Sequence, residues 1–299
     1  IRDRLNYLQA ARAAHLLGHG DRRDSWLKQA YEQTPEAANA VLLTQAELQL
    51  DQEQYEQALA TLRKIEQNAP NHGHALNLIG RLYYRLEDWE NLAEAMPKIR
   101  KHGRVPDKTL RLWAVRVRCE RYRKAADPEA IETARKDLPK DLRQDPEVLD
   151  AYFAALMRTD QHDKAEKELA SELKRDWRPA LVRLYGLAQA TDASKQLKKA
   201  EGWLQNYAED VELLLAAARL CVRNELWGKA RSYLETVIAM RPTPEAYREY
   251  GQLLNRLGDN DAAAIAFQEG LGMVTAAPLP AIPHMQPTSG ESADSGDES

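Results

Sequence analysis

Apolar residues recur along this chain at helical spacing, in paired short blocks joined by tight polar connections. Residues 211–242 show the pattern most plainly. Leu214, Ala217, Ala218 and Cys221 stand at i, i+3, i+4 and i+7, on one face of a first helix over about 211–223. Ala230, Leu234 and Val237 mark a second helix that starts near Trp227, and Pro242 stops it. The predicted unit is an amphipathic helical hairpin. No run alternates β-branched and polar residues convincingly, so no strand is predicted.

The hairpin recurs with a period near 34 residues, the length of the tetratricopeptide repeat. In that frame a first helix carries a large residue, then Leu-Gly, then an aromatic. The second helix carries Ala, a bulky residue and Ala, with Pro near its end. Small residues let the two helices approach closely, and bulky ones fill the space between repeats. The first unit has Ala11, Gly18 at the turn, Leu27, Ala30 and Pro35. The second has Tyr55, Ala58 and Leu62 and ends at Pro70; the third has Leu76, Ile79, Gly80, Tyr83, Leu86 and Trp89. Met96-Pro97 puts a proline inside the third unit's second helix, where it should kink or shorten it.

Residues 101–145 fit the frame least. A long helix over 108–125 carries Leu110, Trp113, Val117 and Tyr122, and its partner over 128–138 opens on Asp127 as N-cap and Pro128. The frame returns with Leu149, Phe153, Leu156, a turn at 160–162, Ala165 and Leu169. A short first helix near 181–188 pairs with a second through Ala200 and Leu204. The last unit has Tyr247, Gly251, Leu254, Leu257, Gly258, Asp259, Ala263 and Phe267. The expected fold is all-α: a right-handed solenoid of about eight tetratricopeptide-like hairpins over 1–272, with 101–145 divergent. Residues 273–299, rich in Pro, Ser, Gly and acids, are expected to form a disordered acidic tail.

Charge sharpens this reading. Net charge is -4, and the last residues hold Glu291, Asp294, Asp297 and Glu298 with no Lys or Arg, leaving 42 acids against 42 bases elsewhere. A neutral body argues against nucleic acid as the partner. Cys119 and Cys221 lie too far apart for a CxxC site or a disulfide framework. No apolar run reaches the roughly 18 residues that span a bilayer. The chain opens at Ile1, already inside a helical pattern, and reads as a fragment or processed form.

Four runs carry a closer resemblance: LNYLQAARAAHLLG at 5–18, RLYYRLEDWENLAEAMPKIRK at 81–101, LVRLYG at 181–186 and ELWGKARSYLE at 225–235. They resemble the HemY family, bacterial inner-membrane proteins associated with protoheme biosynthesis. The resemblance covers 5–271 and is most specific in LVRLYG and LWGKAR. It implies two membrane helices before the repeats, a repeat domain on the cytoplasmic side, and a late step of heme synthesis. The implied role is a scaffold or carrier beside enzymes such as ferrochelatase, with no known catalytic site.

The residues themselves carry no GxGxxG, P-loop or GxSxG signature, so no catalytic residue is assigned. His15 and His19 share a helix spacing that could hold a metal, yet His19 sits between Gly18 and Gly20 and reads as a turn residue. No metal site is assigned. His72 and His74 read as loop and cap; no haem-attachment CxxCH occurs. Trp26, Trp89, Trp113, Trp177, Trp203 and Trp227 fall mostly at repeat-packing positions.

In tetratricopeptide proteins the first helices line a concave groove. The positions that would face it are Arg12, His15, His74, Asn77, Arg81, Tyr84 and Arg85, then Arg219, Arg223, Arg248, Asn255 and Arg256. Arginine pairs bidentately with carboxylates, so this groove could receive an acidic peptide or porphyrin propionates. Equally, these arginines could pair with Glu and Asp of neighbouring helices. The resulting expectation is a protein-binding scaffold without a cofactor. The alternatives are a heme or porphyrin carrier and a general envelope assembly factor; an enzyme of the pathway has no residue constellation behind it.

Overall fold

A computed structural model describes residues 2–33 and 38–275. Pro35 and residues 276–299, with the acids of the expected tail, lie outside the described residues. Among the described residues there are sixteen α-helices and no strand. They fall into eight hairpins: α1 (Arg2–Leu16) with α2 (Gly20–Gln33), α3 (Ala38–Asp51) with α4 (Tyr55–Asn68), α5 (Gly73–Arg85) with α6 (Trp89–His102), and α7 (Asp107–Lys124) with α8 (Pro128–Lys136). There follow α9 (Pro146–Arg158) with α10 (His162–Arg175), α11 (Pro179–Leu187) with α12 (Ala193–Leu204), α13 (Val211–Arg223) with α14 (Trp227–Met240), and α15 (Pro244–Arg256) with α16 (Asn260–Gly272). The fold is an all-α helical-repeat solenoid. Among the described residues no helix is long and apolar enough to cross a membrane.

The described residues divide into two compact units, one ending at Ala165 and the other beginning at Glu166. In the first, Leu62, Ile65, Leu76, Ile79, Leu92, Ile99, Trp113 and Val117 form one continuous core across α4 to α7. Ala11, Leu27, Ala30, Val41 and Leu48 form a smaller one across α1 to α3. In the second, α13 is buried along most of its length, from Leu213 to Ala218 and again at Leu220 and Cys221. It packs on α11, where a Cβ on Gly186 would stand 2.6 Å from the Ala216 Cα. Only glycine allows those two backbones to approach so closely.

Six of the eight hairpins turn in the same way. One residue just beyond the first helix takes positive φ: Gly18, Glu53, Glu87, Asp160, Glu225 and Gly258, at 55° to 84°. The next residue's N–H then bonds back to the carbonyl five residues earlier, as from Leu226 to Cys221 at 2.9 Å and Asp259 to Leu254 at 3.0 Å. This is the Schellman closure, which satisfies carbonyls at a helix end. The exceptions are α7–α8 and α11–α12, whose first helices end in extended backbone at Ala125 and Ala188.

Helix starts follow the sequence closely. Asp127 accepts from the Ala130 N–H and Pro128 takes the first position of α8, as expected. Pro97 does not shorten α6, which runs its full 14 residues through it. The proline lies on the exposed face, opposite the buried Leu92 and Ile99.

Candidate functional site

The sequence positions Arg219, Arg223, Arg248 and Arg256 come together in the second unit. They line a cleft of about 570 Å³ bounded by α11, α13 and α15, with Gly186, Leu187, Ala218, Val222 and Leu253 as its apolar floor. These are the first helices of three successive hairpins, the elements expected to form a groove.

The four guanidinium groups divide by their partners. Arg219 has only 10% of its side chain exposed and reaches Glu249 through two N–H groups, with closest contact 2.7 Å, and Glu245 at 2.8 Å. Glu245 also accepts from Arg183 at 2.9 Å, so a network of alternating charge ties α11, α13 and α15 together. Among the described residues Arg223 meets no carboxylate. It donates to the Ala190 carbonyl at 2.8 Å, the Gln196 side chain at 3.0 Å and the Ala188 carbonyl at 3.4 Å. Burial lowers its pKa below the usual arginine value. Arg248 is 61% exposed and lies 3.9 Å from Glu249, which Arg219 already holds. Arg256 rests over the Trp227 ring at 5.4 Å. Asn255 is exposed and does not line the cleft.

In the first unit the expected positions scatter. Arg12 donates to one Glu47 oxygen at 2.9 Å, and His74 stands 3.2 Å from the other, linking α1, α3 and α5. Arg81 is exposed. Arg85 lies over the Tyr55 ring at 4.6 Å and 4.0 Å from Glu53. Tyr84 packs edge-on against Trp89 and stacks on Trp113, which is core. His74 and Asn77 line a polar cleft of about 620 Å³ with Lys101, His102 and Arg104. Lys101 and His102 end a second helix and Arg104 lies just beyond it, so all three fall outside the groove positions of the repeat frame.

His15 is largely buried, its Nε2 3.9 Å from Asp51 and its Nδ1 without a hydrogen-bond partner, while His19 lies in the turn beyond α1. Among the described residues no group of three or more His, Cys, Asp or Glu side chains could hold a metal. His15 faces Asp51, and among the described residues no histidine lines the arginine cleft. Cys119 and Cys221 are buried free thiols, both pushed up to about 11 by burial, and unsuited to nucleophilic work.

The tetratricopeptide repeat family model matches residues 43–102 and 215–278. The chain is 22% identical over 271 residues to Protein HemY of Escherichia coli K12, covering 89% of this chain and 68% of that protein, and equally so to Protein HemY of Shigella flexneri. A tetratricopeptide repeat protein from Parabacteroides merdae is 14% identical, with TM-score 0.35 over 92% of this chain and 95% of that one. The TPR2AB-domain:pHSP90 complex of yeast Sti1 is 14% identical, with TM-score 0.42 over 90% and 99%. The sixteen helices make this a helical-repeat protein, and two of its blocks match the tetratricopeptide repeat. Within that class its sequence is HemY-like.

Proposed function

We propose that this chain is a non-enzymatic scaffold in a late step of protoheme biosynthesis at the bacterial inner membrane, with the repeats on the cytoplasmic side. The observation that supports this reading is the reach of the HemY similarity. It extends over 89% of the chain, well beyond the two blocks matched by the general repeat model. Successive hairpins present side chains to a partner from a rigid frame, and such binding needs no catalytic residue. The partner is a heme-pathway enzyme, ferrochelatase foremost.

The test is affinity capture from bacterial membranes with this chain as bait, with heme added or removed, read by mass spectrometry. Enrichment of ferrochelatase or a neighbouring porphyrin enzyme is expected. Recovery of unrelated envelope proteins alone would replace this reading with general envelope assembly. Recovery that depends on heme would bring the carrier reading in its place.

A further inference from the structure

We infer that the α11–α13–α15 cleft binds an extended peptide bearing two acidic residues four apart with an apolar residue midway between them. This deepens the scaffold reading, on which it rests for the class of partner. It does not depend on which pathway that partner serves.

Charge comes first. Arg183 and Arg219 are matched by Glu245 and Glu249. Arg223 serves backbone carbonyls and a neutral amide, so its charge is uncompensated. Arg248 has only the distant edge of a glutamate already engaged, and Arg256 lies on an indole. The cleft is therefore a positive site on an otherwise neutral body, and its complement is anionic.

Geometry then sets the spacing. Arg248, Gln252 and Arg256 follow one another at i, i+4 and i+8 on α15 and all line the cleft. Eight residues of helix rise about 12 Å. An extended chain advances about 3.3 Å per residue with alternate side chains on one face, so residues i and i+4 stand about 13 Å apart and point the same way. Carboxylates at i and i+4 meet Arg248 and Arg256 as bidentate pairs. The residue at i+2 faces the floor of Leu187 and Val222, of which Leu187 is 41% exposed. Gln252, between the two arginines, has both a donor and an acceptor for the peptide backbone. The stack on Trp227 holds Arg256 in place while leaving the edge of its guanidinium free.

The test uses the whole chain and fluorescently labelled peptides read by anisotropy. The probes are Gly-Glu-Ala-Leu-Ala-Glu-Gly, the same peptide with both Glu replaced by Gln, and one with the two Glu adjacent. The first should bind at least about tenfold more tightly than the others. R248A and R256A should each weaken it about tenfold, and the double variant should abolish binding. K136A, exposed on α8 in the other unit, should leave it unchanged. Both target arginines are exposed, and the Glu-to-Gln peptide comparison leaves the protein untouched, so misfolding cannot imitate the result. Equal binding of the Gln peptide, or undiminished binding by the double variant, overturns the inference. A heme Soret shift lost in the double variant, with no peptide binding, assigns the cleft to porphyrin propionates and overturns it too. Failure of the membrane capture alongside success here would remove the heme-pathway partner and keep the peptide site.

Discussion

The hairpins α13–α14 and α11–α12 end their first helices in different ways. In α13–α14, Glu225 turns to φ 58° and the Leu226 N–H closes on Cys221, so the helix is capped by its own turn. In α11–α12, Ala188 is extended; its carbonyl accepts from Gln196 at 3.0 Å and from Arg223, the last residue of the next first helix, which also takes the Ala190 carbonyl. The divergent α7–α8 repeats this arrangement: Arg158, the last residue of α9, donates to the Tyr122 carbonyl at 2.7 Å and the Ala125 carbonyl at 2.9 Å. Where the preceding hairpin caps itself, the arginine at the same place is released for other contacts. Arg85 and Arg256 end α5 and α15, and each lies over the aromatic residue that opens the preceding second helix, Tyr55 or Trp227. One repeat position thus has two uses, chosen by whether the neighbouring turn leaves carbonyls unpaired. In one use it couples adjacent repeats; in the other it is available to a ligand.

The sharpest way to break this comparison is to remove the arginine from both kinds of site. Arg158→Met and Arg223→Met should each cost about 2 kcal/mol, because each loses charge-assisted hydrogen bonds to backbone carbonyls; Arg158→Met leaves those of Tyr122 and Ala125 without this donor, and Arg223→Met that of Ala190. Arg85→Met and Arg256→Met lose an exposed cation–π contact, with a long exposed ion pair to Glu53 at Arg85, and should cost under about 1 kcal/mol. Urea denaturation of the four variants checks this. Equal costs in both groups would dissolve the distinction.

A smaller effect tests the self-capped turns. Gly258 stands at φ 84° with open space around it, so Gly258→Ala introduces no clash and only backbone strain. The expected loss is about 1 kcal/mol. Gly202, inside α12 with equally open surroundings, needs no such conformation. Gly202→Ala should therefore gain about 0.5–1 kcal/mol from helix propensity alone. Paired thermal melts read the opposite signs directly.

These two devices differ in how far the sequence discloses them. The first helix expected over 211–223 is α13 to the residue, and Asp127-Pro128 announces α8, because periodicity and capping chemistry are local. Gly18 and Gly258 announce their turns for the same reason. Glu53, Glu87 and Glu225 do not, since glutamate has no preference for positive φ and the fold imposes it. Arg158 and Arg223 are least legible. Their carbonyl partners lie 33 to 36 residues away, and nothing in Ala125 or Ala188 signals a missing cap. For that reason the groove positions looked alike in sequence, although Arg219 and Arg223 brace the repeats and Arg248 and Arg256 face the cleft. Periodicity locates Pro97 within its helix, but only packing shows that it falls on the exposed face.

The finest test of the comparison is one substitution made at equivalent places. Glu225 holds a left-handed conformation that costs an L-residue about 1–2 kcal/mol. Glycine removes that strain but adds freedom to the unfolded chain, which returns about 0.5–1 kcal/mol. Glu225→Gly should therefore stabilise by about 0.5 kcal/mol, as should Glu53→Gly. Ala188 stands in the corresponding place beyond α11 but at φ -65, where no strain exists to relieve. Its methyl is also fully buried, so Ala188→Gly should destabilise by about 1 kcal/mol through both lost packing and unfolded-state freedom. Opposite shifts in the urea midpoint are the expected result. A gain in both would mean that turn strain is not what separates the self-capped hairpins from those closed by an arginine of the next repeat.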